Sequence, residues 1–199
     1  MDLTQQTMNV AAAHDGDWIG GLAGFGDFEV LTRSLDCPAA KRYMRALYKQ
    51  VLGEKRSRSQ TGIPEEVFDY VTAKTLIDVC ILDWKKAVGQ FDAAGKLSVD
   101  GGDPQPLDYS KDAITYLLLE TSEKGVATRK QNGAPGKAYA TPDGMMVRYK
   151  FKPLLDKLDE AAARVAFDDE DDEGEETGED ENDPKDSSSD GSDGDAASD

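Results

Sequence analysis

Histidine and cysteine are scarce in this 199-residue chain, which contains one histidine and two cysteines. A structural zinc site needs four nitrogen or sulfur ligands, so His14, Cys37 and Cys80 cannot supply one. Two thiols this far apart in sequence also lack the multiplicity of a disulfide scaffold. Cys80 lies in the apolar run Val79–Leu82, where a thiol behaves as a small hydrophobic side chain. The sequence therefore predicts neither a metal site nor a chemical role for the cysteines.

Long apolar runs are missing as well. No stretch reaches the roughly eighteen apolar residues that a membrane-spanning helix requires. The N-terminal residues Met1–Thr7 lack the basic and apolar parts of a secretory signal peptide. We therefore expect a protein that is made and kept in a cytoplasm and that has no membrane partner.

Sequence patterns of catalysis are also lacking. The glycines of Gly20–Gly26 follow no apolar strand, and no Gly-Lys-Ser/Thr comes after them to place a lysine on phosphates, so they are interpreted as turn glycines. The carboxylates Glu65, Glu66 and Asp69 stand at a predicted helix start, where they favour the helix dipole and show no division into acid and base. We expect no catalytic residue, no cofactor and no enzymatic activity.

The excess of negative over positive charge is confined to one end of the chain. The formal net charge is −17, yet Asp168–Asp199 alone carries seventeen acidic residues against one lysine. The preceding residues hold 23 acidic and 22 basic side chains and are nearly neutral. A segment this charged, with no aliphatic residue larger than alanine, cannot fold by itself. The sequence predicts a flexible leader (1–13), a single globular domain (14–167) and a disordered acidic tail (168–199), whose charge serves solubility, covers a basic surface or repels nucleic acid.

The periodicity of the domain favours a mainly α fold, a small helical domain with a short N-terminal β unit. That unit spans Asp17–Arg33, where Phe28, Val30 and Thr32 alternate with less apolar positions. A first helix follows, with Asp36 as its cap and Pro38 in its first turn, and it ends before Gly53. Its solvent side carries basic residues, namely Lys41, Arg42, Arg45 and Lys49.

A second helix opens at Pro64 and is apolar on nearly every side from Val67 to Leu82, which is typical of a central helix. Its predicted core residues are Val67, Val71, Leu76, Ile77, Cys80 and Ile81. Val88–Pro104 is expected to form a hairpin or an irregular excursion, and Ser110 to cap a third helix. A basic segment, Lys124–Lys137, is expected to be a flexible loop or a contact arm, followed by a strand-like run at Met145 and a last helix at Pro153.

Four apolar or aromatic side chains are candidate partner-binding residues: Tyr43, Met44, Tyr48 and Trp84. Trp84 is more readily explained as a residue that closes the core, because an indole buries so much area. The basic segments Lys55–Arg58 and Lys124–Lys137 can contact phosphates, but neither interleaves aromatics on which bases would stack, so nucleic acid is not an expected partner.

The order of these pieces resembles the tail assembly chaperones and related tail assembly proteins of long-tailed bacteriophages, over about Asp17 to Glu120. The likeness begins with the strand unit ending in Phe28–Leu35 and a Tyr/Arg-rich helix around Arg42-Tyr43. It continues with a pattern of the form "DW…dG…p.pys…a…LL", which comprises Asp83-Trp84, Asp92–Lys96, Pro106–Ser110, Ala113 and Leu117-Leu118.

The resemblance implies a small, mainly helical, non-catalytic protein of the host cytoplasm that binds the tape-measure protein. It would keep the long apolar helices of that protein soluble until tail-tube subunits polymerise around it. Such families often also make a C-terminally extended form by frameshifting, which would be a second partner. Two alternatives stay open: a single-stranded DNA-binding protein with a regulatory acidic tail, and a structural protein of the virion tail.

Removing residues 168–199 tests the expected role of the acidic tail. If the tail only keeps the protein dispersed, the truncated protein should keep the melting midpoint of the full chain while its solubility falls, because the remaining charges nearly cancel. Thermal denaturation and a precipitation titration measure the two quantities. A large fall in the midpoint would show instead that the tail stabilises the body.

Overall fold

The computed structural model describes residues 10–53, 62–129 and 135–165. The helices of this part are α1 (Val10–Asp15), α2 (Pro38–Leu52), α3 (Glu65–Thr75), a π-helix (Leu76–Cys80), α4 (Lys111–Leu118), a 3₁₀ helix (Tyr149–Phe151) and α5 (Lys152–Arg164). The strands are β1 (Asp17–Ile19), β2 (Glu29–Thr32), β3 (Ile81–Lys85), β4 (Val88–Phe91), β5 (Asp103–Pro106), β6 (Leu119–Thr121), β7 (Val126–Arg129), β8 (Pro135–Tyr139) and β9 (Met145–Val147).

The fold is mixed α/β, and the prediction of a mainly α domain is wrong. Nine strands form small antiparallel sheets in the described part of the chain. Several lie where the sequence pattern favoured helix or loop: β3 and β6 begin directly where a helix ends, and β7 and β8 occupy the predicted loop. Apolar runs this short fit either helix or strand, so the sequence pattern alone did not distinguish them.

The largest sheet has three strands in the order β1-β2-β3. Asp17 pairs with Thr32 across the first interface, and Val30 pairs with Trp84 across the second. The other pairs are β4 with β5, β6 with β9, and β7 with β8. The predicted β unit at Asp17–Arg33 is thus confirmed, and so is the hairpin after Val88, which is formed by β4 and β5.

The centre of the fold is the continuous segment α3, π-helix and β3. All six predicted core residues of this segment are buried, with at most 2% of any residue exposed (Val67, Val71, Leu76, Ile77, Cys80, Ile81). The helical part is shorter than predicted, because the backbone of Ile81 is already extended, with φ −74° and ψ 121°. A π-helix is rare and is often found at functional sites, since its wider turn reorients the side chains that follow.

Helix α2 matches its predicted span, but its N-terminal cap differs from the prediction. The thiol of Cys37 accepts a hydrogen bond from the amide of Ala40 at 3.4 Å. Asp36, the predicted cap, forms an ion pair with Lys41 at 2.9 Å instead. The predicted basic side of the helix is confirmed as exposed. Serine and aspartate are the usual caps, so a buried cysteine in this role was not foreseen.

Strands β7 and β8 form a hairpin where a flexible loop or contact arm was expected. Val126 and Tyr139 are buried at its base. A Cβ atom at Gly136 would lie 2.4 Å from the hydroxyl oxygen of Thr128, so glycine allows the two strands to approach. Residues 130–134 of the predicted loop lie outside the described residues.

Other predicted segments are also outside the described part of the chain. They are the connector Lys55–Arg58, residues 1–9 of the predicted leader and the acidic tail 168–199. Of the leader, residues 10–13 belong to α1, and Ala13 is buried. The third and last predicted helices are confirmed as α4, which Ser110 caps through the amide of Ala113, and α5.

A polar network attaches α2 to the central segment. The Tyr43 hydroxyl donates to Asp78 Oδ2 at 2.5 Å, and Lys74 Nζ lies 2.9 Å from the same oxygen. Lys74 also reaches Asp143 at 3.5 Å, to which the Tyr70 hydroxyl donates at 2.8 Å. Burial raises the pKa of Asp78, but the hydrogen bonds from Tyr43 and Lys74 outweigh it and hold the pKa below its usual value. The π-helix thus presents a charged carboxylate to α2.

Replacing Asp78 with asparagine should destabilise the protein by about 1–3 kcal/mol near neutral pH, because two donors lose a charged acceptor. A carboxyl group whose pKa is lower in the folded than in the unfolded protein stabilises the fold at pH values above the unfolded pKa. The difference in the free energy of unfolding between wild type and Asp78→Asn should therefore shrink as the pH falls below about 4. Urea titrations at several pH values measure this difference. The control is Asp36→Asn, which removes an exposed ion pair and should cost less than about 1 kcal/mol. Equal losses in both variants would contradict this account of the network.

Candidate partner-binding site

Trp84 is fixed in the wall of a cleft by contacts from three sides. Its indole N–H donates to the carbonyl of Leu107 at 2.7 Å. The ring of Tyr109 meets it edge-on at 5.1 Å, and that of Phe28 lies at 6.3 Å. Only 6% of Trp84 is exposed. A buried indole whose polar group is satisfied is rigid, so the cleft wall is already formed before any ligand arrives.

The cleft, here called the Trp84 cleft, has a volume of about 410 Å³. Its described lining is almost entirely apolar: Gly24, Phe25, Phe28, Trp84, Ala87, Val88, Leu107, Leu117, Phe151, Pro153, Leu154 and Leu158, with Lys86 and Lys150. It brings together β3, β4, the end of α4 and the first turns of α5. Val88 at its side is 67% exposed, the highest value among the large exposed apolar residues of the described chain. An apolar cleft of this size that is open to solvent is the usual form of a binding site.

The two lysines of the cleft are held by local partners. Lys86 Nζ lies 2.6 Å from the carboxylate of Glu29, which lowers the pKa of Glu29 and raises that of Lys86. Lys150 Nζ donates to the carbonyl of Val99. Both residues are exposed, and the carboxylate of Glu29 compensates the charge of Lys86. The cleft therefore combines an apolar interior with the Lys86–Glu29 ion pair and the ammonium group of Lys150.

The other predicted partner-binding residues do not lie at this cleft. Met44 and Tyr48 line a groove beside α2 of about 810 Å³. Tyr43 and Tyr70 line a smaller cleft of about 290 Å³. Tyr43 uses its hydroxyl in the network with Asp78, and burial is the main cause of the raised pKa of this phenol. The four predicted residues thus belong to three separate surfaces.

Sequence reasoning missed most of the Trp84 cleft. Phe28 was assigned to the N-terminal β unit, Phe25 lay among the turn glycines, and Leu107 entered only as part of the motif Pro106–Ser110. Phe151 and Leu154 attracted no functional interpretation. The available signal was Trp84 itself, because an aromatic residue next to a charged one often lines a binding surface. Its partners come from segments far apart in sequence, which only the fold brings together.

A group of metal ligands is absent from the described residues, and the Cys80 thiol is not activated. No group of three or more histidine, cysteine, aspartate or glutamate side chains that could hold a metal ion occurs among them. Burial raises the pKa of the Cys80 thiol to about 12, so it stays protonated at neutral pH and is a poor nucleophile. No helix in the described ranges is long and apolar enough to cross a membrane.

Comparison with known proteins assigns the chain to no family. No family model, no curated protein and no solved structure matches the chain.

Proposed function

We propose that this protein is a bacteriophage tail assembly chaperone that binds apolar segments of the tape-measure protein in the Trp84 cleft. The observation that supports the proposal is the open, preformed and almost wholly apolar cleft next to exposed Val88. The resemblance of the sequence to tail assembly proteins supplies the identity of the client. The protein acts by binding and has no catalytic step.

The lining of the cleft suits one face of an amphipathic helix. Such a helix inserts apolar side chains at three- and four-residue spacing into a groove, and aromatic walls provide the contact area. Burying one leucine or phenylalanine contributes about 1.5–3 kcal/mol, so a few anchors give binding that is specific yet reversible. Reversibility is required of a chaperone, because the client must later be released to the tail tube.

A lysine of the cleft determines which charge is favoured next to the apolar anchors of a client helix. Lys150 favours an acidic residue that flanks the apolar anchors, since its Nζ donates to a neutral carbonyl, whereas Lys86 is already paired with Glu29. A client helix with a basic residue at the position next to Lys150 would be repelled. The proposed function thus includes a charge rule for the client sequence.

The charge distribution of the chain suits a chaperone. The residues before Asp168 are nearly neutral and can approach an apolar client without long-range repulsion. The seventeen acidic residues that follow give every complex a large negative charge. Like charge keeps complexes apart and counteracts aggregation of the client.

Co-expression with the tape-measure protein encoded nearest to this gene tests the function. We expect the tape-measure protein to become soluble and to co-purify with this chain. Absence of association would contradict the proposal, and recovery of the chain from purified particles would favour a structural role in the tail.

The substitution Val88→Asp tests the site. A carboxylate at this position should weaken co-purification of the tape-measure protein about tenfold, because an apolar contact with the client is replaced by a charged group that must lose its water on binding. Val88 is 67% exposed, so the fold should tolerate the change. The matched control is Phe68→Asp, which places the same charge on an apolar residue that is 47% exposed on α3 and is not part of the cleft lining. If co-purification of the tape-measure protein falls in both variants, or only in the Phe68 variant, the assignment of binding to the Trp84 cleft is contradicted.

A further inference from the structure

The β4–β5 hairpin forms one wall of the Trp84 cleft, yet most of the hairpin is exposed. All four residues of β5 are exposed, and in β4 only Gly89 is buried. Ala87, Val88 and Leu107, which line the cleft, lie at the base of the hairpin. A two-stranded hairpin with so little burial has low stability of its own and is displaced more easily than the core.

The backbone at the base of the hairpin has an unusual conformation. Lys86, between β3 and β4, has φ 57°, and among the described residues it is the one other than glycine with a positive φ. Such a conformation costs free energy and persists where the surroundings hold it. The ion pair of Lys86 with Glu29, at 2.6 Å, holds it here. A backbone rotation at Lys86 would therefore relieve strain and turn the hairpin relative to β3.

The two strands of the hairpin are joined firmly at the base. The amide of Leu107 donates to the carbonyl of Ala87 at 2.9 Å. A Cβ atom at Gly89 would lie 2.8 Å from the side chain of Leu97 and 3.2 Å from that of Leu107, so both leucines pack closely over this glycine. These contacts keep the hairpin together, so that a movement carries it as one unit.

A side chain of the cleft reaches the far part of the hairpin. Lys150 lines the cleft on the side that leads into α5, and its ammonium group donates to the carbonyl of Val99. Val99 lies between β4 and β5 and is buried, with 6% of the residue exposed. The hydrogen bond thus connects the two sides of the cleft. It can be exchanged, because a carboxylate is a stronger acceptor for an ammonium group than a neutral carbonyl.

We propose that the β4–β5 hairpin is a movable wall of the Trp84 cleft and that Lys150 is its latch. In the closed form Lys150 holds the hairpin through the carbonyl of Val99. An acidic residue of a bound helix takes over the ammonium group, and the released hairpin turns outward at Lys86. The step that involves a bound helix rests on the proposed function, whereas the latch itself does not.

Quenching of Trp84 fluorescence by acrylamide tests the latch without any client. The full-length protein carries Trp18→Phe, so that Trp84 is its one remaining indole. Lys150→Met keeps the aliphatic stem and removes the donor. Because Trp84 is only 6% exposed in the closed form, we expect the quenching constant to rise at least about twofold in this variant. Lys150→Arg keeps a donor and should leave the constant close to that of the parent protein.

The matched control is Lys96→Met, which makes the same change at an exposed residue of the same hairpin that is not part of the cleft lining. We expect an unchanged quenching constant for this variant. The latch would be overturned by an unchanged constant in Lys150→Met, by an equal rise in Lys96→Met, or by a rise that Lys150→Arg shares.

Two peptides test the release of the latch by a carboxylate. Each has eighteen residues, with leucines on one helical face and either glutamine or glutamate on the other. A closed form lowers the apparent affinity for a neutral helix, so Lys150→Met should bind the glutamine peptide about three- to tenfold more tightly than wild type. The same variant should bind the glutamate peptide more weakly, because the carboxylate loses its ammonium partner. Lys96→Met should change neither affinity.

Opposite effects of Lys150→Met on the two peptides are the result that the proposal requires. Unchanged or weaker binding of the glutamine peptide by this variant would overturn the latch. Tighter binding of both peptides would overturn release by a carboxylate. Binding of neither peptide to wild type would contradict the proposed function of the cleft, and the quenching measurement would then decide by itself whether Lys150 holds the wall.

Discussion

The burial of most residues in one continuous segment, from Val67 to Trp84, is the constraint on which the rest of the structure depends. This segment passes from α3 through a π-helix into β3 without leaving the core. As a helix it packs against α2, and as a strand it completes the sheet with β2. Where a chain changes from helix to strand inside the core, its backbone N–H and C=O groups need hydrogen-bond partners in both forms. The π-helix and the pairing of β3 with β2 provide these partners.

The transition also creates two features of the structure, a polar network and a cleft. The π-helix directs Asp78 toward Tyr43 and Lys74, which attaches α2 to the core. The strand that follows places Trp84 opposite Val30, where Leu107 and Tyr109 hold its indole in the wall of the Trp84 cleft. The apolar cleft is thus a direct result of how the central segment ends. The groove beside α2 also depends on this segment, because α2 is held in place by packing against the helix of the segment.

Sequence reasoning predicted well what depends on local patterns. Every predicted core residue of the central segment is buried, and α2, α4 and α5 lie close to their expected positions, because helical periodicity and turn residues are local signals. The mainly α fold class was wrong because strand formation depends on distant partners. Ile81–Lys85 becomes a strand only because Glu29–Thr32 is available beside it, and Val126–Arg129 only because Pro135–Tyr139 returns along it.

The candidate site was predicted only in fragments for the same reason. Trp84 was identified but interpreted more readily as a core residue, and it does have a structural role as well as lining a cleft. Tyr43, Met44 and Tyr48 lie on one helix, yet the hydroxyl of Tyr43 belongs to a polar network, whereas Met44 and Tyr48 line the groove beside α2. Neighbouring residues on a helix point in different directions, so proximity in sequence does not define a surface.

Site-specific photo-crosslinking tests the central claim most directly, namely that the Trp84 cleft contacts the client. A photoreactive phenylalanine derivative would replace Val88 in one variant and Phe68 in another, and each would be co-expressed with the tape-measure protein and irradiated. The account predicts a covalent adduct with the tape-measure protein from position 88 and none from position 68. An adduct from position 68 alone, or none from position 88 while the two proteins still co-purify, would contradict it.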